Sequence, residues 1–411
     1  MSRLSILCPL YGLIKITPLI KRILNTPEVQ RLRELKQLGV TNYVYPSANH
    51  TRLEHSIGVC HLAISLGRHL QQEQPTLKIT ERDIELWGIA GLVHDIGHGP
   101  YSHLYDTYIR EPTQPEHEER GLKIFSNICE RIPVGTTEEI DKVCEMIDPS
   151  SENKHNWIYQ IVANKACDID VDKIDYIRRD SYHVGISSAG ELSRLLNFVR
   201  VHRTPYGLEL TWDKKIEFDI FSLFANRYRM HREVYKHHTV CAFEYIITKI
   251  LEDIRKQKPG IQLANQIDSI VIQYCYENPT HKYCEMLLSR THPHLYDEHV
   301  IQHPEGPAPH GGFKELIHTS EYGTNTVISE DYTIGFVSGN KPNPLTRVYY
   351  YNGKELSDDI ERVSTFNIAP GTNSFIIPIN FKEVIRRMYY TNGVTIKPSE
   401  LEEIWEGIKT Q

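Results

Sequence analysis

The chain has 411 residues and a formal net charge of −7, with 40% hydrophobic and 24% charged residues. Its 24 tyrosines exclude a disordered chain, and 24 glycines with 22 prolines are too few for a collagen-like or low-complexity one. No apolar run approaches the roughly 18 residues that a membrane span requires, so a folded protein of about two or three domains, with no membrane partner, is expected.

Residues 4–16 are apolar but are interrupted by Pro9, Gly12 and Lys15 and lack a small-residue cleavage site, which argues against a secretory signal. The cysteines (Cys8, Cys60, Cys129, Cys144, Cys167, Cys241, Cys275 and Cys284) form no C-x-x-C pair. They read as free, mostly buried thiols of an intracellular protein, cytoplasmic or nuclear. Helical periodicity then dominates up to about residue 255. Leu53, Ile57, Cys60 and Ile64 recur at helical intervals over 53–70. Thr80 and Asp83 form a capping box ahead of an apolar run through Trp87, Ile89, Leu92 and Val93, which stops at Gly97-His98-Gly99-Pro100. A third helical pattern covers 216–254 in two pieces. The character changes near Lys256, and 291–345 is rich in Pro, His, Gly and Asn, which predicts an irregular or mobile connection. Residues 346–351 read as a strand, with a turn at Asn352-Gly353. The last helix is predicted to start at Ser399, capped by Glu402, with Leu401, Ile404, Trp405 and Ile408 as one packed stripe. The expected division is a core over 1–255, an irregular or helical connection over 256–345 and a small lobe over 346–411.

His94-Asp95 is the first chemically suggestive pair, placed in the last turn of a helix just before a glycine-rich stop. His55 and Asp172, also on helical patterns, add a second imidazole and a second carboxylate. Such a donor set suits iron, manganese or zinc with positions open to water. The competing reading is satisfied core histidines and solvated aspartates. A calcium loop at Asp168, Asp170 and Asp172 fails, because Lys173 stands where glycine is required and Arg179 where glutamate is. His98, His103, Asp106 and His117 follow the His-Asp pair and would neutralise phosphate and supply a general acid. Asp172, Tyr176 and Asp180 share one helical face, as do Arg227, His231 and Tyr235; each stripe lines a pocket or faces solvent. No P-loop, no G-x-G-x-x-G and no G-x-S-x-G elbow is present, so side chains and a metal would have to hold phosphate. The acidic balance argues against a dedicated nucleic-acid binder and leaves room only for weak nucleic-acid binding at a local basic pocket.

These residues and their surroundings resemble a known family. The order His55, His94-Asp95, Asp172 is the signature of the HD superfamily of metal-dependent phosphohydrolases. The segments TPEVQRLRELKQLG (26–39), YVYP (43–46), HTRLEHSIG (50–58), AGLVHDIGHGPYSH (90–103) and IDVDKIDYIRRD (169–180) are similar to the core of the SAM-and-HD-domain deoxynucleoside triphosphate (dNTP) triphosphohydrolases. The similarity is dense over about 5–250, looser in the last lobe and weak over 256–345, with no counterpart of the SAM domain. It implies a mainly α protein with an HD-domain helical core and a smaller α+β C-terminal lobe. By position, His55, His94, Asp95 and Asp172 would hold a divalent transition metal, with magnesium on the substrate phosphates. His103 matches the general acid at the leaving 5′ oxygen, His98 and His117 match contacts near the α-phosphate, and Asp106 matches the residue that orients the acid. Arg52, Lys173, Tyr176 and Arg227 match phosphate contacts, and Gln37 and Asp180 match contacts to the sugar 3′-hydroxyl. Leu38 and Tyr235 would crowd the 2′ position and favour deoxyribose. The implied reaction is hydrolysis of dNTPs to deoxynucleoside and inorganic triphosphate, by metal-activated water attacking the α-phosphorus. Broad dNTP use and a homo-oligomer, dimer or tetramer, are expected.

Regulation is where the chain departs from the family. Animal members are activated by nucleotides bound between subunits, with guanine read by an aspartate. Asn25 stands at that position, beside Gln30 and Arg33, which match neighbouring contacts. Leu4 and Leu7 replace a lysine and an asparagine, and Glu233 replaces an arginine. A carboxylate accepts from two guanine N–H donors, whereas an amide offers one acceptor and one donor group. GTP-dependent activation is therefore expected to be lost or altered. Two readings compete with the main one: an HD phosphodiesterase or nuclease acting on another phosphoester, and a non-catalytic interaction protein using the last helix or the loop histidines His292, His294, His299, His303 and His310.

Overall fold

The computed structural model describes residues 4–187, 193–302, 312–320, 323–337, 339–355, 363–368, 377–378, 380–391 and 396–409. An N-terminal hairpin, β1 (Leu4–Cys8) and β2 (Gly12–Ile16), leads into α1 (Pro18–Leu24) and α2 (Pro27–Gln30). The helices α3 (Arg52–Glu73), α4 (Glu81–Val93), α5 (His117–Arg131), α6 (Thr137–Ile147), α7 (Val171–Val184) and α8 (Ser193–Asn197) follow. After β3 (Val199–Thr204) and β4 (Gly207–Asp213) come α9 (Glu217–Met230), α10 (His238–Gln257), α11 (Ser269–Glu277) and α12 (Lys282–Leu288). The rest comprises β5 (His294–Gln302), β6 (Phe313–Ser320), β7 (Gly323–Gly335), β8 (Tyr349–Tyr351), β9 (Thr365–Asn367), β10 (Lys382–Tyr390) and α13 (Pro398–Lys409).

Local chemistry sets the helix ends. Thr80 N–H donates to Asp83 Oδ2 at 3.0 Å and Asp83 N–H to Thr80 Oγ1 at 3.1 Å, which is the capping box expected for α4. Asp170 caps α7 by accepting from Lys173 N–H at 2.8 Å, and Gly185, at φ +73°, ends it in the left-handed region that glycine tolerates. The long helical pattern does divide: α9 runs into a π-helical turn, His231–Tyr235, before α10 begins. His94 and Asp95 sit just past the end of α4 rather than inside its last turn.

The core follows the apolar stripes. Trp87, Ile89, Val59, Ile20 and Phe224 are buried in one large cluster over the first helices, and burying each such side chain contributes about 1.5–3 kcal/mol. A second cluster gathers α10 residues (Phe243, Ile246, Ile250) with Val40, Tyr101, Leu104 and Tyr105. Val40, Tyr101 and Leu104 of this second cluster line a cavity together with His55, Asp95 and Asp172.

Two expectations fail in the C-terminal half. The described residues of 291–345 are not an irregular connection: β5, β6 and β7 form an antiparallel sheet with β10 in the order β5-β10-β7-β6. Adjacent residues of these strands face opposite sides, so Ile328 and Tyr389 join the α10 cluster while Val327 and Met388 join Leu401 and Trp405 of α13. Charged cross-strand pairs such as Arg386 on Asp331, at 2.7 Å, satisfy the polar positions that make the sequence look like a loop. The Pro- and Gly-rich run from His303 to His310 lies outside the described residues. The last helix starts at Pro398, where Glu400 accepts from the Lys397 N–H at 3.4 Å; Glu402 instead accepts from the Tyr296 hydroxyl at 2.6 Å. The stripe of α13 packs on its own lobe as expected, with Leu401 and Trp405 buried.

Sheet pairing also crosses the boundaries drawn at 256 and 346. The strand expected at 346–351 shortens to β8, because Asn343 caps a 3₁₀ turn through Thr346; β8 pairs in parallel with β4 of the core, in a sheet ordered β3-β4-β8-β9. The mainly helical half and the strand-rich half thus share one sheet.

Candidate active site and metal centre

Three helices bring the expected metal ligands together. Backbones of α3 and α4 approach so closely that a Cβ at Gly91 would lie 3.0 Å from the Val59 carbonyl oxygen. That approach sets His55 of α3 against His94, with their Nε2 atoms 3.2 Å apart. Asp172, in the first turn of α7, places Oδ1 2.9 Å from His55 Nε2 and 3.5 Å from His94 Nε2. Asp95 closes the group, 3.5 Å from His94 Nε2 and 3.7 Å from His55 Nε2.

The hydrogen bonds behind the rings test whether these residues fit a metal. His55 Nδ1 donates to Asp175 Oδ2 at 2.8 Å, and His94 Nδ1 donates to the Gly91 carbonyl at 2.9 Å. Both rings therefore turn Nε2 toward the same point beside the two carboxylates, where a proton or a metal cation relieves the crowding. Burial works to lower His55, but hydrogen bonds to Asp172 and Asp175 carry it up to about 10. His94 is raised too, with Asp95 and Asp172 overcoming its burial. Burial raises the Asp172 carboxyl, but the two imidazoles hold it far below the usual carboxylate range. The pocket favours positive charge; His55, His94 and Asp95 offer ligand atoms close enough to share one ion, with Asp172 Oδ1 beside both imidazoles, a donor set that fits a divalent transition ion.

Asp175 is the main residue that the sequence reading missed. It is fully buried, takes two bonds of 2.9 Å from the Arg179 guanidinium and accepts the Tyr11 hydroxyl of the N-terminal hairpin at 2.8 Å. Its spacing of three from Asp172 and four from Arg179 on one helix is a visible signal. A Cβ at Gly58 would fall 2.0 Å from Asp175 Oδ1, so glycine on α3 makes room for this carboxylate.

Beside the metal cluster stands a histidine wall. His98 stacks on His117 with ring centroids 4.0 Å apart, and His103 meets His98 edge-on at 5.0 Å. His98 Nε2 lies 3.3 Å from Asp95 Oδ1, which links the wall to the metal ligands. Asp106 reaches His117 at 3.4 Å and Arg120 at 2.8 Å; among the described contacts it touches His98 and His117 but not His103. Orientation of His103 comes instead from its backbone. Tyr101 and Ser102 both adopt left-handed conformations (φ +58° and +60°), held by Tyr101 N–H on Asp268 Oδ1 at 2.7 Å and Ser102 Oγ on the Lys36 carbonyl at 3.0 Å. Burial, reinforced by the Arg52 and His117 charges, pushes His103 down to about 3.

Every residue matched to substrate contact lines one cavity of about 590 Å³ with His55, Asp95 and Asp172: Gln37, Leu38, Arg52, Lys173, Tyr176, Asp180, Arg227 and Tyr235. Arg52 donates Nε to Ser102 Oγ at 2.6 Å and Nη1 to Asp95, while its buried Nη2 and the buried Oε1 of Gln37 have no partner among the described residues. Burial lowers Lys173, but Asp170, Tyr176 and Asp168 carry it up to about 12, so it stays charged. Asp180 accepts from His50 Nε2 at 2.7 Å and from the Tyr235 hydroxyl at 2.6 Å. His231 of the Arg227–Tyr235 stripe lines the same cavity, as do Lys236 and Lys341, which were not among the expected site residues.

The residues expected at a regulatory site lie elsewhere. Asn25 ends α1, Gln30 Nε2 donates to the Leu24 carbonyl at 2.7 Å, and Arg33 Nε donates to Gln30 Oε1 at 2.8 Å. They form a surface chain outside the cavity. Leu7 is 80% exposed on the hairpin, and Glu233 pairs with Arg229 at 3.1 Å.

The geometry defines an HD-type centre, and comparison with known proteins agrees. Residues 52–180 match the HD domain family model. A putative HD domain-containing protein of Acanthamoeba polyphaga mimivirus is 32% identical over 400 residues, covering 86% of this chain and 85% of that protein. The deoxynucleoside triphosphate triphosphohydrolase SAMHD1 of Gallus gallus is 37% identical over 271 residues, covering 59% of this chain and 44% of that protein. The Homo sapiens protein of the same name is 36% identical over 268 residues, 58% of this chain and 43% of its own length. The match thus spans less than half the length of these two animal proteins. The chain belongs to the HD-domain family, and within it resembles the deoxynucleoside triphosphate triphosphohydrolases. No helix among the described residues is long and apolar enough to cross a membrane.

Proposed function

We propose that this chain hydrolyses deoxynucleoside triphosphates to deoxynucleoside and inorganic triphosphate. One observation carries the reading: His55, Asp95 and Asp172, which meet His94 in a cluster fit for a divalent metal, line one cavity with the cations Arg52, Lys173 and Arg227 and with the histidine wall. A divalent ion held by those four residues, iron, manganese or zinc, would supply hydroxide near neutral pH by acidifying a bound water. Arg52 Nη2, Lys173 and Arg227 bind the phosphate oxygens, with magnesium accompanying the triphosphate, and take up charge developing at the α-phosphorus. Tyr176 adds a hydroxyl at the same wall. His98 and His117 face the α-phosphate and are fixed to Asp95 and Asp106. His103 protonates the departing 5′ oxygen as the P–O bond breaks, which leaves inorganic triphosphate intact. Gln37 Oε1 and Asp180 receive the sugar 3′-hydroxyl, and Leu38 and Tyr235 fill the space a 2′-hydroxyl would need.

The protein is taken to act inside the cell as a homo-oligomer, dimer or tetramer. Asn25, where the activated relatives read guanine with a carboxylate, makes the activity independent of GTP or alters its response. The test is incubation of purified protein with the four dNTPs and Mn²⁺ or Fe²⁺, with and without GTP, followed by ion-exchange separation of products. Deoxynucleoside with triphosphate, lost in His94→Ala and present without GTP, is the expected result. Monophosphate with pyrophosphate would indicate another phosphoester hydrolase, absence of turnover would indicate an interaction protein, and a strict GTP requirement would overturn the regulatory reading.

A further inference from the structure

We infer that Lys341, contributed by the strand-rich half of the chain, binds the polyphosphate in the cavity, so that the helical half alone leaves the site incomplete. The inference rests on reading the cavity as a nucleotide site.

Lys341 lines the same cavity as Asp172, Lys173 and Arg227, although it lies beyond β7 and more than a hundred residues from them in sequence. Its Nζ sits 2.7 Å from Asp168 Oδ1. Asp168 has a surplus of counter-charge. Arg347 holds its other oxygen, and Lys173 also acts on it, so Lys173, Lys341 and Arg347 together overcome burial and lower the carboxyl. Arg347 is itself anchored to the Ala166 carbonyl at 2.7 Å. Asp168 therefore keeps a fixed partner if Lys341 leaves, and removing a half-exposed lysine exposes no buried charge.

The segment that carries Lys341 is firmly based. Asn343 Oδ1 caps the following turn by accepting from Leu345 N–H at 3.1 Å, Asn343 Nδ2 donates to the Pro378 carbonyl at 3.1 Å, and Leu345 is buried in the main core cluster. Lys341 is 50% exposed, so its four-carbon stem can redirect the ammonium from Asp168 to a phosphate oxygen at small cost. A triphosphate offers several oxygens and a higher negative charge than one carboxylate already shared by Arg347. The exchange is therefore favourable only when polyphosphate is present.

The full-length chain loaded with Mn²⁺ is titrated with magnesium-saturated inorganic tripolyphosphate by calorimetry. Lys341→Ala is expected to weaken binding about tenfold. Lys341→Arg should restore most of the affinity, and the gap between wild type and Lys341→Ala should narrow as salt rises. Lys256→Ala, at an exposed lysine paired with Asp253, serves as the control for loss of a surface charge. In turnover of a dNTP the loss should fall on KM more than on kcat, which a purely structural role for Lys341 would not produce. Equal affinity of wild type and Lys341→Ala, with wild type binding normally, would overturn this inference and leave the proposed function standing. Failure of wild type to bind tripolyphosphate would overturn both.

Discussion

At the scale of single residues, His103 sets the strictest condition on the proposed chemistry. A general acid must carry a proton, yet burial and the neighbouring Arg52 and His117 charges push His103 down to about 3. It is therefore neutral at pH 7 in the free protein. A bound triphosphate reverses the local field and stabilises the imidazolium, which raises the pKa of the ring. The sign follows by linkage. The complex binds a proton that the free protein lacks, so polyphosphate affinity rises as pH falls from the pKa of the complex toward about 3. Titration of tripolyphosphate at pH 7 in two buffers of different ionisation enthalpy should reveal uptake of about one proton per site, reduced in His103→Asn. Binding without proton uptake would remove His103 from the acid role. That His94 and Asp95 would meet other donors was readable at this scale because His-Asp before a glycine stop is a compact signal. Asp175 was not, because an aspartate inside a helix reads as solvated until a buried arginine and a histidine Nδ1 are seen to meet it.

At the scale of elements, close helix crossings decide whether the ligands converge. Gly58 lies where a Cβ would stand 2.0 Å from Asp175 Oδ1 and 2.3 Å from Arg179 Nη2. Gly58→Ala would have to displace both members of a buried ion pair. The expected cost is about 1–3 kcal/mol of stability, read from denaturant unfolding, together with weaker metal binding as Asp175 moves off His55. Unchanged stability and metal content would show that the crossing is looser than described. The capping box of α4 and the split between α9 and α10 were legible, since each rests on residues adjacent in sequence. The strands of 291–345 were not, because their alternation is carried by polar pairs such as Arg386–Asp331 that only β10, far along the chain, completes. The left-handed pair Tyr101-Ser102, which aims His103, also left no mark in residue type. Neither residue is glycine, and the strain is held by Asp268 from a distant segment.

At the scale of the whole molecule, the two halves are interlocked. β8 pairs with β4 of the core, Arg227 of α9 donates to the Gly335 carbonyl, and Lys341 enters the cavity from the strand-rich half. The dense family similarity over 5–250 explains why the convergence of His55, His94, Asp95 and Asp172 could be expected from the sequence. It also explains why the contribution of 335–347 could not, since that segment carries little of the resemblance. The central claim is that residues on α3, α7 and the turn after α4 converge on one ion. Anomalous diffraction from crystals grown with Mn²⁺, combined with metal analysis of the same protein, tests it most directly. The account predicts one ion per chain bounded by His55, His94, Asp95 and Asp172, lost on Asp172→Asn. An ion bound instead among His98, Asp106 and His117, or metal content unaffected by that substitution, would contradict it.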